Sequence, residues 1–183
     1  DWGLVPDPVL RAACTLRTRK RLRVERAADI DAQSARTRAL RERLRKGAVA
    51  THTAEANQQH YEVPAEFFGH VLGAKRKYSS CYWPEGVTTL DQAEDAMLEL
   101  YAERAGLADG QRVLELGCGW GSFCLWAAER WQASEIVAVS NSRTQRAFIE
   151  AEAARRNLDN LTVLTADITT FDPADLGEPG PFD

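Results

Sequence analysis

From Arg112 onward, short apolar runs alternate with longer stretches in which apolar side chains recur at helical spacing. Arg112 to Leu116, Glu135 to Val139 and Leu161 to Ala166 each read as a short strand, with Asp109-Gly110 as a turn ahead of the first. After the first strand, Phe123, Trp126, Ala127 and Trp131 mark a helix. A second helix is expected from about Ser142 to Arg156, with Ala147, Phe148, Ala151 and Ala154 as its buried stripe. Strands alternating with such helices predict an α/β fold: a Rossmann-like, doubly wound parallel sheet whose ligands sit at the carboxyl ends of the strands. Those ends carry Glu115 to Gly121, then Ser140-Asn141-Ser142, then Asp167-Ile168.

Upstream the periods change. Thr88-Thr89-Leu90-Asp91 opens a helix with Thr89 as N-cap and Ala93, Met97, Leu100, Tyr101 and Ala105 at helical spacing. It is expected to pack on the sheet and to carry no chemistry of its own. Aromatic and polar residues crowd residues 57–68 and 77–83, which suggests a lid over a pocket. Residues 9–26 interleave Val9, Leu10, Ala13, Leu16, Leu22 and Val24 with arginines, and Ala32 to Lys46 forms a second polar helix ended by Gly47. The organisation expected is a basic helical arm over 1–54, a lid and substrate-side helical segment over 55–108, and the first part of a cofactor domain over 109–183. Only three strands precede Pro181-Phe182-Asp183, where a fourth would begin, and no Met stands at position 1. The chain is therefore read as a piece of a longer protein, cut at least at its C-terminus.

Charge sharpens the division. Residues 1–50 hold 13 Lys plus Arg against 6 Asp plus Glu, a net of +7, while residues 51–183 hold 10 against 21, a net of −11. A basic helix over residues 9–26 can lie on anionic lipid as a peripheral membrane contact; a solvated face with paired arginines is the simpler alternative. Nucleic acid is disfavoured, because the arginines lack interleaved aromatics and the isoelectric point is near 5.5. Cys14, Cys81, Cys118 and Cys124 form no C-x-x-C pair and have no histidine cluster beside them, so neither a metal nor a disulfide framework is expected. No run reaches the length of a membrane span, and a cytoplasmic protein is expected, peripheral to the membrane if the arm binds lipid.

The candidate chemistry lies in Val113-Leu114-Glu115-Leu116-Gly117-Cys118-Gly119-Trp120-Gly121, a strand that passes one carboxylate into glycines at alternate positions. Glycines there turn the backbone with positive φ and admit a ligand closely. A phosphate-cradling loop would require Lys-Ser/Thr after its last glycine, and Ser122-Phe123 follows instead. The dinucleotide fingerprint would require glycine or alanine at position 122. E-x-G-x-G-x-G suits a ligand without a pyrophosphate, S-adenosylmethionine; a structural turn or another nucleotide is the alternative. On this reading Leu116, Gly117, Cys118, Gly119 and Gly121 form the cofactor loop, whose amides hold the methionine carboxylate at a helix N-terminus. Glu115 answers the α-ammonium, Asp167 accepts from the adenine amino group, and Ile168 packs on the ring. No acidic residue closes the second strand, so Ser140, Ser142 and Gln145 serve the ribose beside Asn141. Asp167 as a plain turn residue and Gln145 as an exposed helix residue are the competing readings.

Five motifs in order carry a resemblance: His60-Tyr61-Glu62-Val63-Pro64, Tyr78-Ser79-Ser80-Cys81-Tyr82-Trp83, Leu114 to Gly121, Ser140-Asn141-Ser142 with Gln145, and Ala166-Asp167-Ile168-Thr169-Thr170-Phe171-Asp172. Over residues 55–183 the chain resembles the cyclopropane-fatty-acid synthase superfamily of methyltransferases, in its coclaurine N-methyltransferase-like branch. The resemblance implies a class I S-adenosylmethionine methyltransferase fold. Tyr78 and Ser79 would reach the cofactor from the lid, with His60, Tyr61, Ser80 and Cys81 on the substrate side. Lipid cyclopropane synthases usually read Tyr-Ser-Cys where this chain has Ser80, and their cysteine helps bind a bicarbonate. Methyl transfer to an amine nitrogen of a small molecule therefore ranks above cyclopropanation of unsaturated lipid acyl chains, with a non-catalytic cofactor-binding or membrane-associating module as the third reading. The family's acid/base residues follow the Phe-Asp that is here Phe182-Asp183, outside this chain, so these residues alone are expected to bind cofactor weakly and not to turn over.

Overall fold

The computed structural model describes residues 5–26, 29–48, 64–176 and 181–183, and the chain divides into two units, residues 1–49 and 50–183.

The first unit holds two helices, α1 (Asp7–Glu25) and α2 (Ile30–Lys46). Pro8 stands in the first turn of α1, where its missing N–H leaves no bond unmade, and Asp7 puts a negative charge at the positive helix end. Asp29 caps α2 by accepting from the Ala32 amide at 2.7 Å. Arg36 of α2 donates to the Val24 and Glu25 carbonyls at 2.9 and 2.7 Å and meets the Glu25 carboxylate at 3.1 Å, which ties α2 to the end of α1. Gly47 ends α2 at φ −84°, so the stop expected there occurs without a left-handed turn. No residue of either helix is buried, and among the described residues no helix is long and apolar enough to cross a membrane.

The second unit is built on β1 (Arg112–Leu116), β2 (Glu135–Ser140) and β3 (Leu161–Thr165), all parallel in the order β1-β2-β3. Leu114 stands beside Val137, and Val137 beside Thr162. This is the α/β, Rossmann-like arrangement expected, carried through three strands whose bounds fall within one residue of the sequence reading. The central strand is buried from Ile136 to Ser140, which is why it reads as an unbroken apolar run. Helices α5 (Ser122–Arg130) and α6 (Arg143–Arg156) pack on each other and on β2 and β3; α3 (Ala65–Val71) and α4 (Leu90–Ala105) precede the sheet. Leu98, Cys124, Ile136 and Ile149 keep no exposed surface, and burying a large aliphatic side chain of this kind stabilises by roughly 1.5–3 kcal/mol. At the open edge of β1, Asp183 donates its amide to the Arg112 carbonyl at 3.0 Å and accepts from the Arg112 amide at 2.9 Å.

Two expectations are corrected. The buried face of α6 is Gln145, Ile149 and Ala153, not the Ala147, Phe148, Ala151 and Ala154 stripe: Phe148 is half-buried and those three alanines are exposed. The one large aliphatic residue, Ile149, sets the face, because alanine lies on every side of this helix and selects none. On α4 the buried residues are Ala93, Glu94, Leu98 and Ala102, while Ala105 is exposed. Within the segment expected to be a lid and helical, α3 is a helix with Phe68 buried at its centre. Thr89 caps α4 as expected, within a full capping box completed by Gln92.

Candidate functional site

Leaving β1, the chain turns through Gly117, Gly119 and Gly121 with φ of +80°, +55° and +80°. At Gly117 and Gly119 an added Cβ would meet nothing within 4 Å, so these two glycines are required by conformation and leave open space beside the backbone. Gly121 is different: a Cβ there would stand 2.7 Å from Ile149, so this glycine serves the close approach of α5 to α6. The Gly117 and Cys118 amides donate to the Val139 carbonyl at 2.9 and 3.0 Å, and Gly121 donates to Cys118. Strand β2 thus pins the loop. Of the loop amides, those of Gly119 and Trp120 have no backbone acceptor among the described residues, fewer than the whole-loop cradle expected.

The carboxyl ends of all three strands border one cleft of about 190 Å³, lined by Gly117, Gly119, Val139, Ser140, Asn141, Gln145, Ala166, Asp167 and Ile168. Ser140 donates to Gln145 Oε1 at 2.7 Å and its Oγ accepts from the Ser142 amide at 3.1 Å; Ser142 caps α6 by accepting from the Gln145 amide at 3.3 Å. All three side chains are buried, so Gln145 is not an exposed helix residue. Its Nε2 is buried with no partner among the described residues, a donor left over beside the cleft. Asp167 lines the cleft and shapes its own turn as well, its Oδ1 accepting from the Thr169 amide at 2.9 Å and hydroxyl at 2.7 Å.

Glu115 and Leu116 border a second hollow, of about 430 Å³, with Tyr101, Leu107, Val113, Phe123, Phe182 and Asp183. Glu115 as a whole is half-buried, but its Oε2 is fully enclosed and has no partner among the described residues. Burial pushes this carboxyl up to about 7; the Cys124 thiol and amide and the Lys77 ammonium oppose the shift. Cys118 and Cys124 are buried beneath the loop, and the Cys124 thiol is held well above its usual range by its hydrogen bond with Cys118 and then by burial.

Among the residues expected to form a lid, Tyr78 and Ser79 are exposed and line neither hollow. Tyr78 reaches the loop through Phe68: its ring centroid lies 5.9 Å from Phe68, which lies 4.8 Å from Trp120 of the glycine loop. Ser80 is exposed with φ +64°, and Cys81 is half-buried, its thiol raised by burial and then by Glu94. His60 and Tyr61 lie outside the described residues. Sequence reasoning missed Lys77, whose ammonium donates to the Ser79 carbonyl at 2.6 Å and to Tyr101 Oη at 3.0 Å, and Glu94, a fully buried carboxylate. A lysine directly before Tyr78-Ser79 was the available signal for the first. Among the described residues no three His, Cys, Asp or Glu side chains are grouped to hold a metal.

The mycolic acid cyclopropane synthetase family model matches residues 49–179. The chain is 42% identical over 170 residues to (S)-coclaurine N-methyltransferase of Thalictrum flavum subsp. glaucum, spanning 93% of this chain and 47% of that protein. It is 32% identical over 116 residues to cyclopropane mycolic acid synthase 1 of Mycobacterium tuberculosis, spanning 63% and 40%. The crystal structure of coclaurine N-methyltransferase bound to N-methylheliamine and SAH superposes with a TM-score of 0.87 at 41% identity, covering 94% of this chain and 50% of that one. Mycolic acid cyclopropane synthase CmaA1, complexed with SAH and CTAB, superposes with a TM-score of 0.59 at 30% identity, covering 68% and 43%. The chain thus spans about half the length of the curated relatives it matches. With the family model matching residues 49–179, the chain belongs to the mycolic acid cyclopropane synthetase family.

Proposed function

We propose that the protein binds S-adenosylmethionine and transfers its methyl group to an amine nitrogen of a small molecule, of the coclaurine type. The observation that carries the reading is the cleft at the three strand ends, with a positive-φ glycine loop on one side and the unpartnered Gln145 Nε2 beside it. A ligand with a ribose and an adenine fits that donor set: Gln145 offers a hydrogen bond to a hydroxyl, and Asp167 and Ile168 offer an acceptor and an apolar face. The buried, unpaired Glu115 oxygen suits a cation, such as the α-ammonium of the methionine part. When bound, S-adenosylmethionine supplies a methyl group on sulfonium for in-line displacement. The chain's part is to orient that group against an acceptor held on the lid side, where positioning supplies much of the rate. An amine attacks only when unprotonated, so a neutral nitrogen must be bound or a proton removed from it. The greater identity to N-methyltransferases, with Ser80 where the lipid-acting branch usually has cysteine, supports an amine over a lipid acyl chain.

The test is titration of S-adenosylhomocysteine into the protein and into Gly119→Val, followed by methylation assays with coclaurine and with an unsaturated phospholipid on a longer protein that also carries the acid/base residues the resemblance places after Asp183. Binding that Gly119→Val abolishes, with product from the amine alone, is expected. Absence of binding to the folded protein overturns the cofactor reading, and product from the phospholipid alone overturns the acceptor.

A further inference from the structure

The segment that carries Tyr78 and Ser79 has no helix or strand of its own, yet its backbone is held at closely spaced points by α4. Glu94 keeps no exposed surface, and both of its carboxylate oxygens are used: Oε2 accepts from the Lys75 amide at 2.8 Å and Oε1 from the Lys77 amide at 2.9 Å. One turn earlier, Asp91 Oδ1 accepts from the Ala74 amide at 2.8 Å. Beyond the dipeptide, Tyr82 donates its amide to the Ala93 carbonyl at 3.1 Å. Lys77 closes the arrangement from within, donating to the Ser79 carbonyl and to Tyr101 of the same helix. The fit leaves no slack at Gly73, where a Cβ would stand 2.5 Å from Glu94 Oε2 and 2.8 Å from Asp91 Oδ1.

The backbone shows what this holding accomplishes. Among the described residues, Arg76, Ser80 and Asn157 are the non-glycine residues with positive φ. Asn157 is the left-handed cap of α6, a common place for asparagine. Arg76 at +49° and Ser80 at +64° have no such excuse, and they bracket Lys77, Tyr78 and Ser79. Left-handed backbone at ordinary residues persists where the surroundings over-determine it, and it concentrates at functional sites. A carboxylate is well suited to the task because it is an acceptor at both oxygens. Glutamine has the same shape but must turn an NH₂ group toward one of the two amides.

We propose that Glu94 is a positioning residue of the cofactor site: by accepting from the Lys75 and Lys77 amides it fixes the backbone that presents Tyr78 and Ser79. It touches no ligand itself and acts through the dipeptide it orients. The inference rests on the reading of the protein as an S-adenosylmethionine binder, with Tyr78 and Ser79 on the cofactor side. It gives α4, expected to carry no chemistry of its own, an indirect part in holding the site.

The test combines amide hydrogen exchange with titration of S-adenosylhomocysteine, on the parent, Glu94→Gln, Tyr78→Ala and the double variant. In Glu94→Gln the Lys75 and Lys77 amides are expected to exchange faster while those of β2 keep their protection. The dissociation constant should rise about tenfold. On the Tyr78→Ala background the same substitution should have little further effect, because the residue it acts through is gone. Gly73→Ala, which crowds the same carboxylate from the other side, should reproduce both changes and serves if Glu94→Gln fails to fold. Unchanged exchange at Lys75 and Lys77, an unchanged dissociation constant, or strictly additive effects with Tyr78→Ala would overturn the proposal. A parent that binds no S-adenosylhomocysteine overturns the cofactor reading instead, which separates the two failures.

Discussion

Helices α1 and α2 bury no residue and are laced by ion pairs between exposed side chains, whereas the sheet unit closes over Leu98, Ile136 and Ile149, which keep no exposed surface. In the helical pair the pairs Arg11–Asp7, Arg21–Glu25 and Arg36–Glu25 do what local charge can do, and exposed pairs of this kind contribute about 0.2–1 kcal/mol each. In the sheet unit a single buried aliphatic side chain outweighs several of them. The helical pair should accordingly tolerate substitution almost anywhere, and the sheet unit should resist it wherever two elements touch.

The sharpest way to break the sheet unit is Gly121→Val. The new side chain would combine a left-handed backbone with a contact 2.7 Å from Ile149, and overpacking with backbone strain costs on the order of 4 kcal/mol or more. Loss of cooperative unfolding by circular dichroism is the expected result, and an unchanged melting temperature would contradict the packing role given to Gly121. Glu115→Gln tests the same unit through charge. A carboxyl raised from 4.5 to about 7 in the folded state binds its proton more tightly there than in the unfolded chain. Its contribution to stability is therefore full below about pH 4.5 and is lost as pH rises through 7, by up to about 3 kcal/mol. Glu115→Gln should melt higher than the parent at pH 8, match it near pH 4, and lose affinity for S-adenosylhomocysteine. Melting curves at the two pH values decide the first point, and an equal pH dependence in both proteins would show that Glu115 is not the titrating group. The smallest effect belongs to the helical pair. Glu25→Ala removes the carboxylate shared by Arg21 and Arg36 but leaves Arg36 its bonds to the Val24 and Glu25 carbonyls, and urea unfolding followed by helical circular dichroism should shift by no more than about 1 kcal/mol. A larger loss would mean that the Glu25 carboxylate does more than an exposed ion pair can.

Much of the sheet unit was legible because burial writes a period into the sequence. The strands are short apolar runs, and the glycine spacing after β1 announced a loop that only positive φ could make. The cleft-side residues Ser140, Asn141, Gln145, Asp167 and Ile168 followed from the rule that strand ends carry ligands. What stayed hidden has a common physical cause. The face of α6 could not be read from alanine, which is too small to select a side, and nothing in the spacing singled out Glu94, because its partners are backbone amides 19 and 17 residues away. Likewise no spacing rule separates Gly121, which serves packing, from Gly117 and Gly119, which leave open space. Backbone partners and close approaches of this kind leave no trace in side-chain pattern.

The contact between Gly121 and Ile149 also sets a rule for how relatives of this chain can drift. Room for a methyl group at position 121 has to be created at position 149 first, so the two positions should change together and in that order. A relative with alanine at 121 should carry a residue without a γ carbon at 149 and still bear a left-handed backbone, while a relative with isoleucine at 149 should keep its glycine.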